Sequence, residues 1–259
     1  MTNMIQADNR PPTKFDAEEW SIRCELAALY RLVAHFRMTD LIYTHISARL
    51  PGPDHYFLIN EYGALFHEIR ASDLVKINVE GEMVEIARER PQRVNPAGFT
   101  IHSAIHMHRP DLKFVLHTHT AAGMAVSAQE HGLLPITQIA MKFFGRIGYH
   151  DYEGLALNIG ERERIVADLG PHNALILRNH GLLVGGPTAA RTFNWIYFLE
   201  RACQAQVAAL GGGAQVVTPS HDVARKVAAQ FARPGRHAPA NAWAALLRML
   251  DREDPAYRD

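Results

Sequence analysis

The sequence predicts an α/β fold with one main domain and a helical C-terminal region. Three observations carry this. Short apolar strand patterns recur between residues 43 and 184, punctuated by turns such as Pro51-Gly52-Pro53 and Glu80-Gly81. Helical spacings of apolar residues separate several of those strands, and the chain ends in three helix patterns with no strand between them. No internal repeat or long linker divides the 259 residues, a length that permits one large domain. The expected partition is a flexible N-terminal arm over 1–14, a main domain over 15–210, and a helical extension over 211–259. That extension is expected to pack on the same domain or on a neighbouring subunit.

Taken in order, residues 16–37 place Trp20, Cys24, Ala27, Ala28 and Leu32 at the spacings of an amphipathic helix. Residues 43–50 and 54–60 read as strands, and 74–79 with 82–86 as a hairpin, although Glu-Gly is a weaker turn signal than Asn-Gly. Ile101, Ala104 and Ile105 share a helical face, with His102 and His106 four apart on a neighbouring face. These two histidines read as hydrogen-bonded helix residues rather than as a second metal site. Arg109-Pro110-Asp111 ends the helix. A strand over 113–118 follows, then a small-residue helix containing Ala121, Ala122, Met124 and Ala125, capped by Thr118 or Thr120. Residues 131–155 are the least regular, with a short helix expected through Met141. A helix over 161–169 leads to strands at 174–177 and 182–184, which flank the turn Asn179-His180-Gly181. Thr188 caps the longest helix, 189–210, which ends at Gly211-Gly212-Gly213 and is apolar on more than one face. It is therefore either central or part of a subunit contact. Helices over about 220–232 and 239–251 close the chain.

Composition excludes several classes of function. At 47% apolar and 21% charged residues the chain reads as an ordinary globular protein. Lys plus Arg equal Asp plus Glu at 27 each, so no global field points to nucleic acid or to a membrane surface. No apolar run approaches the roughly 20 residues that span a bilayer, and the first residues lack the apolar segment of a secretory signal. Cys24 and Cys203 both fall in helix patterns, which argues against a disulfide framework. A cytoplasmic protein is expected. Histidine is the unusual count, at 15 residues, of which a mononuclear metal site needs only three or four.

The chemistry concentrates in FVLHTHTAAG, residues 114–123. His117 and His119 lie two apart at a strand end and so point to the same face, where two imidazoles can share one metal ion. A catalytic zinc site keeps one coordination position open beside its protein ligands. The best third ligand is His180, just after the apolar run ALIL and just before a glycine that spares the centre a bulky neighbour.

These residues resemble the class II aldolase/adducin family. The resemblance covers about residues 20 to 210 and is strongest at NPAGFTIHSAIH (95–106), RPDLKFVLHTHTAAG (109–123), YEGLAL (152–157), LILRNHGLLVGG (175–186) and FLERACQAQ (198–206). It implies a three-layer α/β/α sandwich around a largely antiparallel sheet, in a homo-oligomer, with a tetramer favoured and active sites near subunit boundaries. It also implies that His117, His119 and His180 bind a divalent metal ion, zinc favoured over manganese or iron. The metal would act as a Lewis acid on a small-molecule substrate.

The sequence departs from the family's sugar-phosphate aldolases. Their Pro-Ser-Ser-Glu segment corresponds to Pro96-Ala97-Gly98 within NPAGF, which puts Gly98 where the acid/base glutamate would stand. Their phosphate-binding Gly-Asn corresponds to Thr44-His45, and their Thr-Gly to Tyr62-Gly63. Glycine transfers no proton, and losing several phosphate donors argues against a phosphorylated sugar. Glu61, at the turn beside Tyr62, is the nominated replacement carboxylate, and His45 a substrate or proton-transfer residue. Tyr62, Arg178 and Tyr149 are candidate substrate contacts; for Arg178 the alternative is a structural ion pair, and for Tyr149 helix and interface packing. The expected function is a metal-dependent carbon–carbon lyase of retro-aldol or decarboxylase type, acting on a non-phosphorylated substrate. The alternatives are an iron-dependent oxygenase and a non-enzymatic, adducin-like assembly module.

Overall fold

A computed structural model describes residues 15–85, 94–155, 160–213, 215–233 and 239–259. Eight strands form one sheet: β1 (His45–Arg49), β2 (Phe57–Ile59), β3 (Val75–Ile77), β4 (Met83–Glu85), β5 (Phe114–Thr118), β6 (Gly148–His150), β7 (Ala174–Leu177) and β8 (Gly181–Gly186). Their spatial order is β4-β3-β2-β1-β5-β8-β7-β6. Every neighbouring pair is antiparallel except β6 with β7, which is parallel. The helices are α1 (Ala17–His35), α2 (Pro96–His108), α3 (Ala121–Ser127), α4 (Gln138–Met141), α5 (Glu161–Leu169), α6 (Ala189–Leu210), α7 (His221–Ala232) and α8 (Pro239–Glu253).

Strand alternation sorts side chains into two cores and so makes three layers. On one face Ile46, Ala48, Phe114, Leu116, Leu182 and Val184 pack against α1 and α6. On the other, Val115, Leu175, Leu177 and Leu183 meet Ile101 and Ile105 of α2 and Ile165 and Leu169 of α5. The fold is thus the expected α/β/α sandwich on a mostly antiparallel sheet. His45, Ser47 and His117 belong to the second face by the same alternation, which turns them toward α2.

The helix starts follow the capping pattern read from the sequence. Thr188 Oγ1 accepts from Arg191 N at 3.2 Å, and Thr120, rather than Thr118, caps α3 through Gly123 N at 3.3 Å. Trp243 and Leu250 of α8 and Tyr257 beyond it join the core that contains α1 and α6, so the C-terminal residues pack on their own chain.

Strand boundaries differ from the pattern where backbone geometry intervenes. The strand expected from residue 43 begins at His45, because Thr44 has φ 69°. The strand expected from 54 begins at Phe57, after His55 at φ 55°. β6 falls inside the stretch read as irregular; three residues are too few for alternation to register. The expected N-terminal arm over 1–14 and the last residue of the 82–86 strand lie outside the described residues. No described helix is long and apolar enough to cross a membrane.

Candidate metal centre and its histidine network

One strand end and one turn build the centre. β5 delivers His117 and, one residue past its end, His119. The β7–β8 turn delivers His180 through Asn179, whose φ of 55° suits asparagine's tolerance of the left-handed region. Gly181 must be glycine here, since a Cβ would lie 2.3 Å from the Thr118 carbonyl oxygen. The glycine beside His180 thus allows two backbones, rather than only a ligand, to approach. The three side chains offer ligand atoms that all lie within 4.8 Å of one another.

Tautomers are dictated at two of the three rings. His117 Nδ1 lies 2.9 Å from the Leu182 carbonyl and His119 Nδ1 2.9 Å from Asp40 Oδ2. Both partners only accept, so each Nδ1 donates. In the neutral rings the Nε2 atoms then carry lone pairs, and these face each other at 2.8 Å; His119 and His180 Nε2 face at 2.9 Å. Facing lone pairs repel unless a cation lies between them. One proton on His119 Nε2 serves only one of its two neighbours, whereas a metal ion serves all three. Burial holds His117 well below the ordinary imidazole value, helped by repulsion from His180 and His119. Burial, followed by His119 and His150, pushes His180 down to about 4. Neutral imidazoles with oriented outer nitrogens are what a divalent ion requires. The donor set fits a metal.

His45 stands directly opposite His117 across the β1–β5 pair, with ring centroids 5.2 Å apart. It lies outside the three-ligand group. Its imidazole fills the space beside Gly98, where a Cβ would come within 2.4 Å of His45 Cδ2. From there a chain of short contacts runs between β1 and α2. His45 Nδ1 meets His102 Nε2 at 2.7 Å, His102 Nδ1 meets Ser47 Oγ at 2.5 Å, and Ser47 Oγ meets His106 Nε2 at 2.6 Å. The geometry is natural: strand residues two apart rise about 6.6 Å, and helix residues four apart rise about 6 Å. All four side chains are buried, and burial keeps the rings neutral, His106 down to about 3 with the Arg49 charge adding to the effect. The hydrogen-bonded reading of His102 and His106 describes them, but the partners, His45 and Ser47, were not foreseeable from helix spacing.

Of the other nominated residues, Arg178 lines a small cavity together with His180. Glu61 and Tyr62 line a cavity of about 550 Å³ whose walls include none of the three clustered histidines. The Arg178 guanidinium donates to the carbonyls of Gln129 and Glu130 at 2.8 and 3.2 Å and lies 4.6 Å over the Tyr149 ring. Tyr149 in turn accepts from Leu133 N at 3.1 Å. That stack buttresses the 129–133 turn, and the partners of Arg178 there are carbonyls and a ring rather than the carboxylate of an ion pair. His150, beside Tyr149, sits between Asp168 at 2.7 Å and Glu161 at 3.2 Å. Sequence reading missed Asp40, because nothing local marks an aspartate 79 residues upstream as the partner of His119.

Comparison with known proteins identifies the family and the fold. The profile of the Class II Aldolase and Adducin N-terminal domain matches residues 24–207. An aldolase class 2 relative in Caulobacter vibrioides is 50% identical over 259 residues, covering 98% of this chain and 100% of its own. Alpha-adducin of Rattus norvegicus is 45% identical over 197 residues, covering 76% of this chain and 26% of adducin. The crystal structure of an aldolase II superfamily protein from Pseudomonas syringae superposes with a TM-score of 0.90 at 50% identity, over 95% of this chain and 98% of that one. L-fuculose 1-phosphate aldolase from Glaciozyma antarctica PI12 superposes with a TM-score of 0.81 at 28% identity, over 97% and 98% of the two chains.

Proposed function

The chain belongs to the class II aldolase and adducin family, and on that premise we propose that it is a divalent-metal-dependent carbon–carbon lyase for a small, non-phosphorylated hydroxy- or carboxylate-bearing substrate. The observation that carries the reading is the set of Nε2 atoms of His117, His119 and His180, turned toward one another by hydrogen bonds at the far side of two of the rings. A divalent ion held there, zinc favoured, would supply a Lewis acid for the negative charge left on a substrate oxygen when a carbon–carbon bond breaks. The Leu182 carbonyl and Asp40 orient His117 and His119 for that task. Retro-aldol cleavage and decarboxylation both fit, because both leave that charge.

His45 takes the proton-transfer role in this reading. Gly98 offers no side chain, and the His45 ring fills the space beside it. It holds or moves a proton at Nε2, the nitrogen left over from its contact with His102. Glu61 is a weaker assignment, since it and Tyr62 line a different cavity. Thr44-His45 and Tyr62-Gly63, in place of the aldolases' phosphate contacts, support a substrate without phosphate.

An iron-dependent oxygenase has less support: a common ligand set for such enzymes pairs two imidazoles with a carboxylate, and Asp40 is engaged by His119 instead. An adducin-like assembly role would leave the facing lone pairs without a purpose. A homotetramer is part of the proposal, and light scattering checks it.

Metal analysis of the purified protein, followed by titration of chelator-stripped protein with zinc, manganese and ferrous iron, tests the reading. One ion per chain is expected. A protein that takes up none of the three ions is not a metal-dependent lyase. A panel of paired hydroxyaldehydes and hydroxy acids, with and without phosphate, then tests the substrate class, with turnover expected only for the non-phosphorylated members.

A further inference from the structure

The histidine chain between β1 and α2 has a direction, and its far end sets it. His106 Nδ1 is buried without a hydrogen-bond partner. It carries either an unpaired N–H or an unpaired lone pair, and Arg49, two residues past Ser47 and so on the same face of β1, brings a guanidinium whose Nε and Nη2 are themselves buried donors without a partner among the described residues. A cation attracts a lone pair and repels an N–H, so the lone pair is the less costly orphan. The His106 proton therefore sits on Nε2 and is donated to Ser47 Oγ. Each remaining contact has one proton, so the rest follows. The Ser47 hydroxyl donates to His102 Nδ1, and His102 Nε2–H donates to His45 Nδ1. In a neutral ring the His45 proton is then on Nε2.

We infer that Ser47, His102 and His106 are positioning residues that lock His45 as its Nε2–H tautomer, so that it meets the substrate as a hydrogen-bond donor to an oxygen anion and not as a fourth nitrogen ligand. Two consequences distinguish this from simple burial of polar groups. His117, His119 and His180 would then be the protein ligands that hold the ion, with His45 left free for a substrate oxygen. The site also gains a fixed donor of the kind that favours developing negative charge, with no reorganisation when that charge appears. A carboxylate or enolate oxygen is the ligand this donor recognises; an ammonium group is disfavoured. The inference deepens the lyase reading and rests on it only for what His45 touches; the tautomer itself does not depend on any activity.

Nitrogen-15 NMR of histidine-labelled protein tests it, on the full chain, metal-stripped and zinc-loaded, with the His45 signals assigned by their loss in His45→Gln. The expected result in both samples is a pyridine-type Nδ1 and a pyrrole-type, proton-bearing Nε2 on His45. A proton on His45 Nδ1, or a metal-coordinated shift at its Nε2 with zinc, overturns the inference. Ser47→Ala cuts the chain at its centre and should give His45 both tautomers in exchange, while Ser47→Thr, which keeps the hydroxyl, should restore one. A His45 spectrum unchanged in folded Ser47→Ala removes the positioning role. If that variant does not fold, the wild-type spectrum still decides the direction of the chain. Calorimetry with zinc, manganese and ferrous iron separates the two ideas: failure of all three to bind defeats the lyase reading and leaves the tautomer result standing.

Discussion

Two groups of histidines lie side by side in this molecule and do opposite things with the same ring. In the trio of His117, His119 and His180 the Nε2 atoms point at one another, at 2.8 and 2.9 Å, with outer nitrogens of two rings fastened to acceptors. In the chain of His45, His102 and His106 each inter-residue contact can hold one proton, passed through Ser47. The first group is short of positive charge and calls for a cation. The second is complete as it stands, apart from one nitrogen at its end. What separates them is whether an acceptor or a donor stands behind each ring, which residue type and count do not reveal.

The largest effect expected from breaking this contrast is on the trio. His119→Ala removes the ring that joins the other two, and metal binding should be abolished while circular dichroism and the unfolding midpoint of the metal-free protein stay close to wild type. Binding within tenfold of wild type by calorimetry would mean the trio is not the metal centre.

Acid should act on both groups in the metal-stripped protein, because burial also holds His117 well below the ordinary value and His180 down at about 4. Burial depresses the folded-state pKa of His45, His102 and His106 below the ordinary value of 6.5, to about 3 for His106. The unfolded chain therefore binds more protons than the folded one below that value. Stability is full above about pH 6.5 and falls as the pH drops toward the folded values, by up to about 1.4 kcal/mol per pH unit for each such histidine. Urea unfolding of metal-stripped protein between pH 7.5 and 5 should show a steep loss, and a flat profile would mean that these rings are charged in the folded state.

Ser47→Ala is expected to cost about 1–3 kcal/mol, because it leaves His102 Nδ1 and His106 Nε2 buried without partners. Chemical denaturation measures this, and a neutral result would place water in the chain. Asp40→Asn is the mildest change. It keeps an acceptor for His119 but removes the charge behind the ring, with an expected loss of about tenfold in zinc affinity, read by competition with a chelator.

Much of this was legible before any tertiary information. Strand periodicity put His117 and His119 on one face, turn chemistry marked His180, Thr188 starts its helix as read, and Thr120 is the one of two candidate threonines that caps the other. Local rules suffice there because the interacting atoms are near in sequence. Where they failed, the reason is equally local. Thr44 and His55 turn with positive φ and shorten two strands, and β6 is a three-residue strand recruited by β7.

By itself, then, the sequence carried the strand and helix pattern through periodicity, and the family, the expected layers and the three candidate ligands through contiguous motifs that resemble that family. Only the tertiary structure decided what surrounds the ligands. It brought Asp40 behind His119, set His45 opposite His117 and beside Gly98, and ran the buried chain through Ser47 to His106. It also placed Glu61 in another cavity and tied Arg178 to backbone carbonyls. Those outcomes depend on strand register and on which helix face meets the sheet, and both are settled by packing of distant segments. The polarity of a hydrogen-bonded chain depends on its last partner, which here lies 61 residues from its first.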